Sequence, residues 1–187
     1  MDAEIPDSSL LEQFRLRPEV VALLYRRHVG AVYRYLARRV GVSAADDLLS
    51  EVFAAALTAR ERVEPHPSGS ALPWLYGIAG NVVRMHLRRP PPSAPVDDVS
   101  TVDWDAVDAR LDAMARREEL AAALAVLTNS EREVLLLVAW EGLSPAEAGQ
   151  ALGLTPVAAR SRLHRARTRA QAVLDAPIGA PILEETP

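Results

Sequence analysis

A chain of 187 residues with 49% hydrophobic residues is long enough for one ordinary domain or two small ones and can bury a real core, which excludes a disordered tail. Its formal net charge of -4, from 21 basic and 25 acidic residues, says little about partners, so the distribution of signs along the chain carries the information. The absence of cysteine rules out disulfides and thiolate metal sites, the opening MDAEIPDSS is too polar for a signal peptide, and no apolar run approaches the ~20 residues of a membrane span. The expectation is a soluble cytoplasmic protein.

From Pro18 to Val40 the apolar residues Val21, Leu24, Val32, Leu36 and Val40 recur at helical spacing, and Gly41 follows where a helix would stop. Ser43 is expected to cap a second helix, with Asp46 at its third position and Leu48, Val52, Ala55 and Ala56 on its apolar side. EPHPSGSALP, residues 64 to 73, reads as a loop. A helix then runs from about Trp74 to Arg89, with Leu75, Ile78, Val82 and Met85 on one stripe, and ends before Pro90, Pro91 and Pro92.

Residues 90 to 112 hold six aspartates, four prolines and one arginine, the composition of a linker that need not pack. This stretch reads as a domain boundary. Beyond it the chain is helical almost throughout, with Leu120, Leu124 and Leu127 on one face of the first helix. Ser130 to Glu133 reads as a capping box before EVLLLVAW. Another places Ser144 at the N-cap, Pro145 at the first helical position and Glu147 at the third. LGLTP, residues 152 to 156, is a short turn, after which Thr155 and Pro156 open the last helix. Two short helices about such a turn, the second cationic, form a helix-turn-helix pattern.

At 100° per residue, Ala159, Leu163, Ala166, Ala170 and Val173 of that last helix form one apolar stripe. The opposite side carries Ala158, Ser161, Arg162, Arg165 and Arg169, flanked by Arg160 and Arg167. A merely solvated face usually mixes signs, yet no acid occurs between Glu147 and Asp175. Arginine's planar fork suits guanine edges and phosphates, and the small Ala158 and Ser161 allow close approach to a base. This helix is expected to bind nucleic acid.

LTNSEREVLLLVAWEGLSPAEAGQALGLTPVAARSRLHRAR, residues 127 to 167, resembles the promoter-reading C-terminal domain of extracytoplasmic-function (ECF) sigma factors. Upstream, DDLLSEVF (46 to 53) resembles that family's D-L-x-Q-E-x-F, and PWLYGIAGNVVRMHLRR (73 to 89) its W-L-x-x-I-A-x-N with terminal R-R. The matches keep the family's order and spacing over roughly residues 18 to 89 and 113 to 172. Gly80 and Met85 stand where the family commonly has arginine and aspartate, Val157 and Ala158 replace a usual Gly-Thr pair, and Ser50 replaces a common glutamine.

The resemblance implies an all-α architecture of two small helical domains, residues 10–89 and 113–174, joined by a flexible acidic, proline-rich linker (90–112) and followed by a short tail (175–187), the C-terminal domain being the helix-turn-helix. It implies docking on core RNA polymerase through Asp46, Asp47 and Glu51, of which the last two share a helical face. Promoter DNA would be melted by a base pocket in the loop Glu64 to Leu72, with Asn81 as polar contact and Arg84, Arg88 and Arg89 as a cationic rim. Trp74 and Tyr76, at helical spacing, read more simply as packed side chains than as stacking platforms. The upstream element would be read by the arginine face of the last helix. In the polymerase, Asp97, Asp98, Asp103, Asp105, Asp108 and Asp112 of the linker could mimic a phosphate chain, or serve as a solvated spacer. An anti-sigma factor is an expected further partner, and no cofactor, metal site or catalytic residue is expected. A stand-alone helix-turn-helix regulator would leave residues 43 to 89 unexplained, and a polymerase-docking interaction protein would leave the arginine face idle.

Overall fold

A computed structural model describes residues 5–88 and 117–175. Every regular element among the described residues is helical, as the sequence implies. Helix α1 (Asp7–Leu16) leads through a 3-10 turn (Pro18–Val20) into α2 (Val21–Val40) and α3 (Val42–Ala59). A second 3-10 turn (Arg60–Arg62) and a loop precede α4 (Leu72–Arg88). After the linker come α5, described over residues 117–125, then α6 (Asn129–Ala139), α7 (Pro145–Ala151) and α8 (Pro156–Leu174).

Helix α1 escapes the reading of the first block, which starts at Pro18, yet Leu10, Leu11 and Phe14 are at most 1% exposed and seal one end of the core. Helices α2 and α3 are joined by Gly41 alone, at φ +81°, a left-handed conformation that only glycine adopts without strain. The one-residue joint corrects the expected cap. Because Gly41 itself is the N-cap and α3 starts at Val42, Ser43 lies inside the first turn and makes no capping hydrogen bond.

Leu24, Val32 and Leu36 of α2 and Leu48, Val52 and Ala56 of α3 bury as expected, with Val21, Val40 and Ala55 half-buried. Along α4, Leu75 and Val82 are buried and Ile78 half-buried, but Met85 is 60% exposed. Its place inside is taken by Tyr76, Ala79 and Val83, because α4 is covered by α2 and α3 on one side and by α7 on another, which turns the stripe. Both aromatic residues of α4 pack. Trp74 lies edge-on to Phe14 at 6.1 Å and Tyr76 stacks on Tyr35 at 5.0 Å.

In the second block the first capping box sits two residues earlier than expected. Thr128 is extended, its hydroxyl accepts from Glu131 N–H at 3.3 Å, and the Glu131 carboxylate accepts from Thr128 N–H at 3.1 Å, so Ser130 is already helical. The Ser144–Glu147 box and the Thr155 cap before Pro156 form as expected. On α5, Ala123 is buried and Leu124 half-buried while Leu120 is 45% exposed, and Leu127, expected on the same face, is buried just past the end of the helix.

The two blocks share one apolar core. Leu137, Leu143 and Ala148 join the side chains of α1 to α4, and α7 lies across α4. At the crossing a Cβ on Gly77 would stand 3.0 Å from the Ala151 carbonyl oxygen, a contact so tight that any side chain there would push the α7 backbone back by a few tenths of an ångström. The expected linker, residues 90 to 112 with its six aspartates, lies wholly outside the described residues.

The loop between Val63 and Ala71 is held from behind by Asp7, whose carboxylate accepts from Ala71 N–H at 2.9 Å and from Arg27 at 2.6 Å, with His28 Nε2 at 2.8 Å. Burial opposes ionisation of Asp7, but the Ala71 N–H, Arg27 and His28 outweigh it and hold the carboxyl below its ordinary value of 3.8. A carboxyl depressed in the folded state stabilises above its unfolded pKa and loses that contribution as pH falls through the folded one. Asp7→Asn is expected to lower stability at neutral pH by about 1 to 3 kcal/mol, by leaving buried donors without their charged acceptor. In urea titrations the difference from wild type should shrink below about pH 4, and a constant difference down to pH 2 would refute the role given to Asp7.

Candidate DNA-reading and docking surfaces

Helix α8 buries Ala159, Leu163 and Ala166, which turns its arginines outward as the 100° projection requires. Arg160, Ser161 and Arg167 are exposed. Ala158 is half-buried beside the helix start, where its N–H donates to Thr155 Oγ1 at 3.2 Å. Arg162 is half-buried and lines a cavity together with Tyr35, Gly80 and Arg84 of the first block. Arg165 and Arg169 lean back on α6, where Arg169 donates to Glu131 at 2.8 Å and Arg165 Nε lies 3.5 Å from the same carboxylate. The Thr128 hydrogen bonds, with Arg169 and Arg165 beside them, hold Glu131 below the usual carboxylate range. One capping residue thus fixes both a helix start and two side chains of the cationic face. Sequence reasoning missed it by placing the box at Ser130. The Thr-x-x-Glu spacing at 128 and 131 was the available signal.

On α3, Asp46, Asp47 and Glu51 are exposed on the side opposite Ala45, Leu48 and Val52. With Ser43 and Asp46 both free of a capping role, the cluster is not explained by helix capping. On α4, Asn81, Arg84 and Arg88 are exposed, and Asn81 Oδ1 accepts from Arg84. Arg89, expected in the same rim, lies outside the described residues.

Two contacts join these surfaces across the chain. Glu141, in the turn after α6, has a side chain only 2% exposed, lying 2.5 Å from Arg38 and 3.3 Å from Arg39, with a hydrogen bond from the Tyr76 hydroxyl. Arg39 also lies over the Tyr35 ring at 3.6 Å. Burial, with the Glu141 carboxylate beside it, pushes the Tyr76 phenol well above its ordinary range. At the loop, Ser68 Oγ donates to Glu147 at 2.7 Å and Gln150 donates to the Glu64 carbonyl at 2.8 Å. Burial works against ionisation of Glu147, but hydrogen bonds from Ser68 and Ser144 outweigh it and keep the carboxyl low. Nothing in the spacing of Arg38, Arg39 or Glu141 announces such pairings across more than 100 residues.

Two family models match, Sigma-70 region 2 over residues 24–90 and Sigma-70, region 4 over residues 117–169. RNA polymerase sigma factor CarQ of Myxococcus xanthus is 36% identical over 146 residues, covering 76% of this chain and 82% of that one. ECF RNA polymerase sigma factor SigC of Mycobacterium tuberculosis is 34% identical over 140 residues, 73% of each chain. This chain belongs to the ECF sigma factors. As an ECF sigma factor it is a promoter-recognising initiation factor, and its α7–turn–α8 unit is the helix-turn-helix of the region 4 match. Among solved structures, CnrH in complex with the cytosolic domain of CnrY superimposes with a TM-score of 0.61 at 28% identity, over 91% of this chain and 98% of that one. No helix among the described residues is long and apolar enough to cross a membrane.

Proposed function

We propose that this ECF sigma factor works in the cytoplasm, docks on core RNA polymerase through Asp46, Asp47 and Glu51 and reads the upstream promoter element with α8. On that face Arg160, Ser161, Arg162 and Arg167 meet the groove beside Ala158, and Arg165 and Arg169 hold phosphates near Glu131. The loop Glu64 to Leu72 takes an unstacked base of the melted strand, Asn81 contacts it, and Arg84, Arg88 and Arg89 steady its backbone. The observation that carries this reading is the presence, on one chain, of an exposed carboxylate face on α3 and an exposed arginine face on α8. The first suits a protein partner's arginines and the second suits DNA. CnrH was solved with the cytosolic domain of CnrY bound, and a protein partner, the anti-sigma factor that the family resemblance implies, is the expected regulator here.

The test is run-off transcription with core polymerase from the source bacterium, a pool of promoter fragments from its genome, and this chain as the only added factor. Discrete transcripts are expected. No transcripts, together with tight salt-sensitive duplex binding by the chain alone, would instead leave a helix-turn-helix regulator.

A further inference from the structure

We propose that the cavity lined by α2, α4, α6 and α8 is a binding site for a small amphipathic anion, its charged head seated above Gly80 and its apolar body between Val83, Leu87, Leu152 and Leu154. The cavity holds about 510 Å³, within the roughly 300 to 1,000 Å³ of small-molecule sites. Val83 is buried and Leu152 and Leu154 are half-buried, while Leu87 is 65% exposed, so an apolar occupant would remove its side chain from water.

The place of the head group follows from Gly80. This residue is helical and is not among the glycines of positive φ, so its backbone does not demand glycine, and a glycine in mid-helix is destabilising relative to alanine. What the missing side chain leaves is space, at a position where the family commonly has arginine. The point where a Cβ would stand lies 3.2 Å from the Tyr35 hydroxyl oxygen and 3.9 Å from Arg84 Nη1, so an anionic oxygen just above it comes within reach of both donors. Tyr35 is 1% exposed, and its hydroxyl has no hydrogen-bond partner among the described residues. Burial pushes this phenol up to about 12, which keeps its proton in place to be donated. An unpaired buried hydroxyl is costly, and an acceptor in the cavity removes that cost. The walls set the sign of the ligand. Arg162 lines the cavity with no partner among the described residues, and Arg132 is fixed in the wall by the Leu124 carbonyl at 2.8 Å. The carboxylate of the lining, Glu133, lies 3.9 Å from Arg39, so Arg84, Arg132 and Arg162 outweigh it.

The full chain is titrated with anilinonaphthalene sulfonate, an aromatic anion whose fluorescence rises in apolar surroundings, and the bound dye is then displaced with decanoate. One saturable site is expected. Decanoate should compete about tenfold better than decanol, which has the same body without the charge. Gly80→Ala puts a methyl group where the head sits, and Tyr35→Phe removes one donor while keeping the shape of the wall. Each should weaken decanoate binding about tenfold, the worth of one hydrogen bond to a charged group, with the helical circular-dichroism spectrum retained. The proposal is overturned if the dye finds no saturable site, if decanol competes as well as decanoate, or if both variants bind decanoate as the wild-type chain does. None of these readouts uses DNA or polymerase, so the roles proposed for α3 and α8 stand or fall separately.

Discussion

Asp47→Arg should abolish transcription with core polymerase while leaving the chain folded and its duplex binding intact. Asp47 is exposed and sits one helical turn before Glu51, so a single reversal places a cation in the face we propose for docking. Truncating one member of a buried interfacial charge pair costs about 2 to 5 kcal/mol, and reversal adds repulsion. At 1.4 kcal/mol per factor of ten, this is a loss of roughly 30-fold to several thousand-fold in complex formation. Because Asp47 makes no capping bond in α3, the thermal unfolding curve should not move appreciably. Co-migration with core polymerase on native gels measures binding and run-off synthesis measures activity. A variant that binds and initiates normally would remove α3 from the docking surface.

Arg162→Ala with Arg165→Ala should have a comparable effect on promoter use by a different route. A good bidentate contact to a base is worth about 1 to 3 kcal/mol of discrimination, and a phosphate contact contributes about 0.9 to the slope of log K against log salt. Arg165 stands 3.5 Å from Glu131 and Arg162 is half-buried, so the two need not behave alike. The single variants distinguish the modes. Removing an arginine that grips a phosphate weakens all duplexes alike and flattens the salt dependence, whereas removing one that reads a base relaxes preference at one position. If the double variant keeps both affinity and slope, α8 is a solvated helix and does not read DNA. Glu131→Gln is the companion control, since it retains the side chain's shape but releases Arg165 and Arg169 from their carboxylate partner. It should lower the melting temperature while leaving the remaining arginines in place.

The helix starts at Ser144 and Thr155 were legible because caps are local chemistry, written within four residues. The α8 stripe was legible because its burial repeats with the helical period. The errors share a cause. Ser43 and Ser130 each had an acid three residues on, as did Thr128 but not Gly41, and the choice was made by the backbone of the preceding joint. At Gly41 a left-handed residue let α3 begin at once, and at Thr128 an extended residue lay two positions upstream of the expected cap. Met85 was misplaced because a helix covered from two sides buries a wider and rotated set of positions than a simple stripe. Helix α1 carried a short L-L-x-x-F signal that a ten-residue helix makes easy to pass over. The contacts of Glu141, Glu147 and Gln150 with the first block link residues 79 to 103 positions apart, and no periodicity within either block could have predicted them.

The single-residue corner at Gly41 has a mechanical meaning. Asp46 and Asp47 begin the outer face of α3 only a few residues after Arg38 and Arg39 end α2, and no loop lies between them to absorb a rotation. The two helices form a bell crank pivoted on one glycine. A torque applied at the carboxylates is therefore delivered to the arginines that grip Glu141, so the carboxylate face of α3 and the contact between the two blocks at Glu141 belong to one stiff piece.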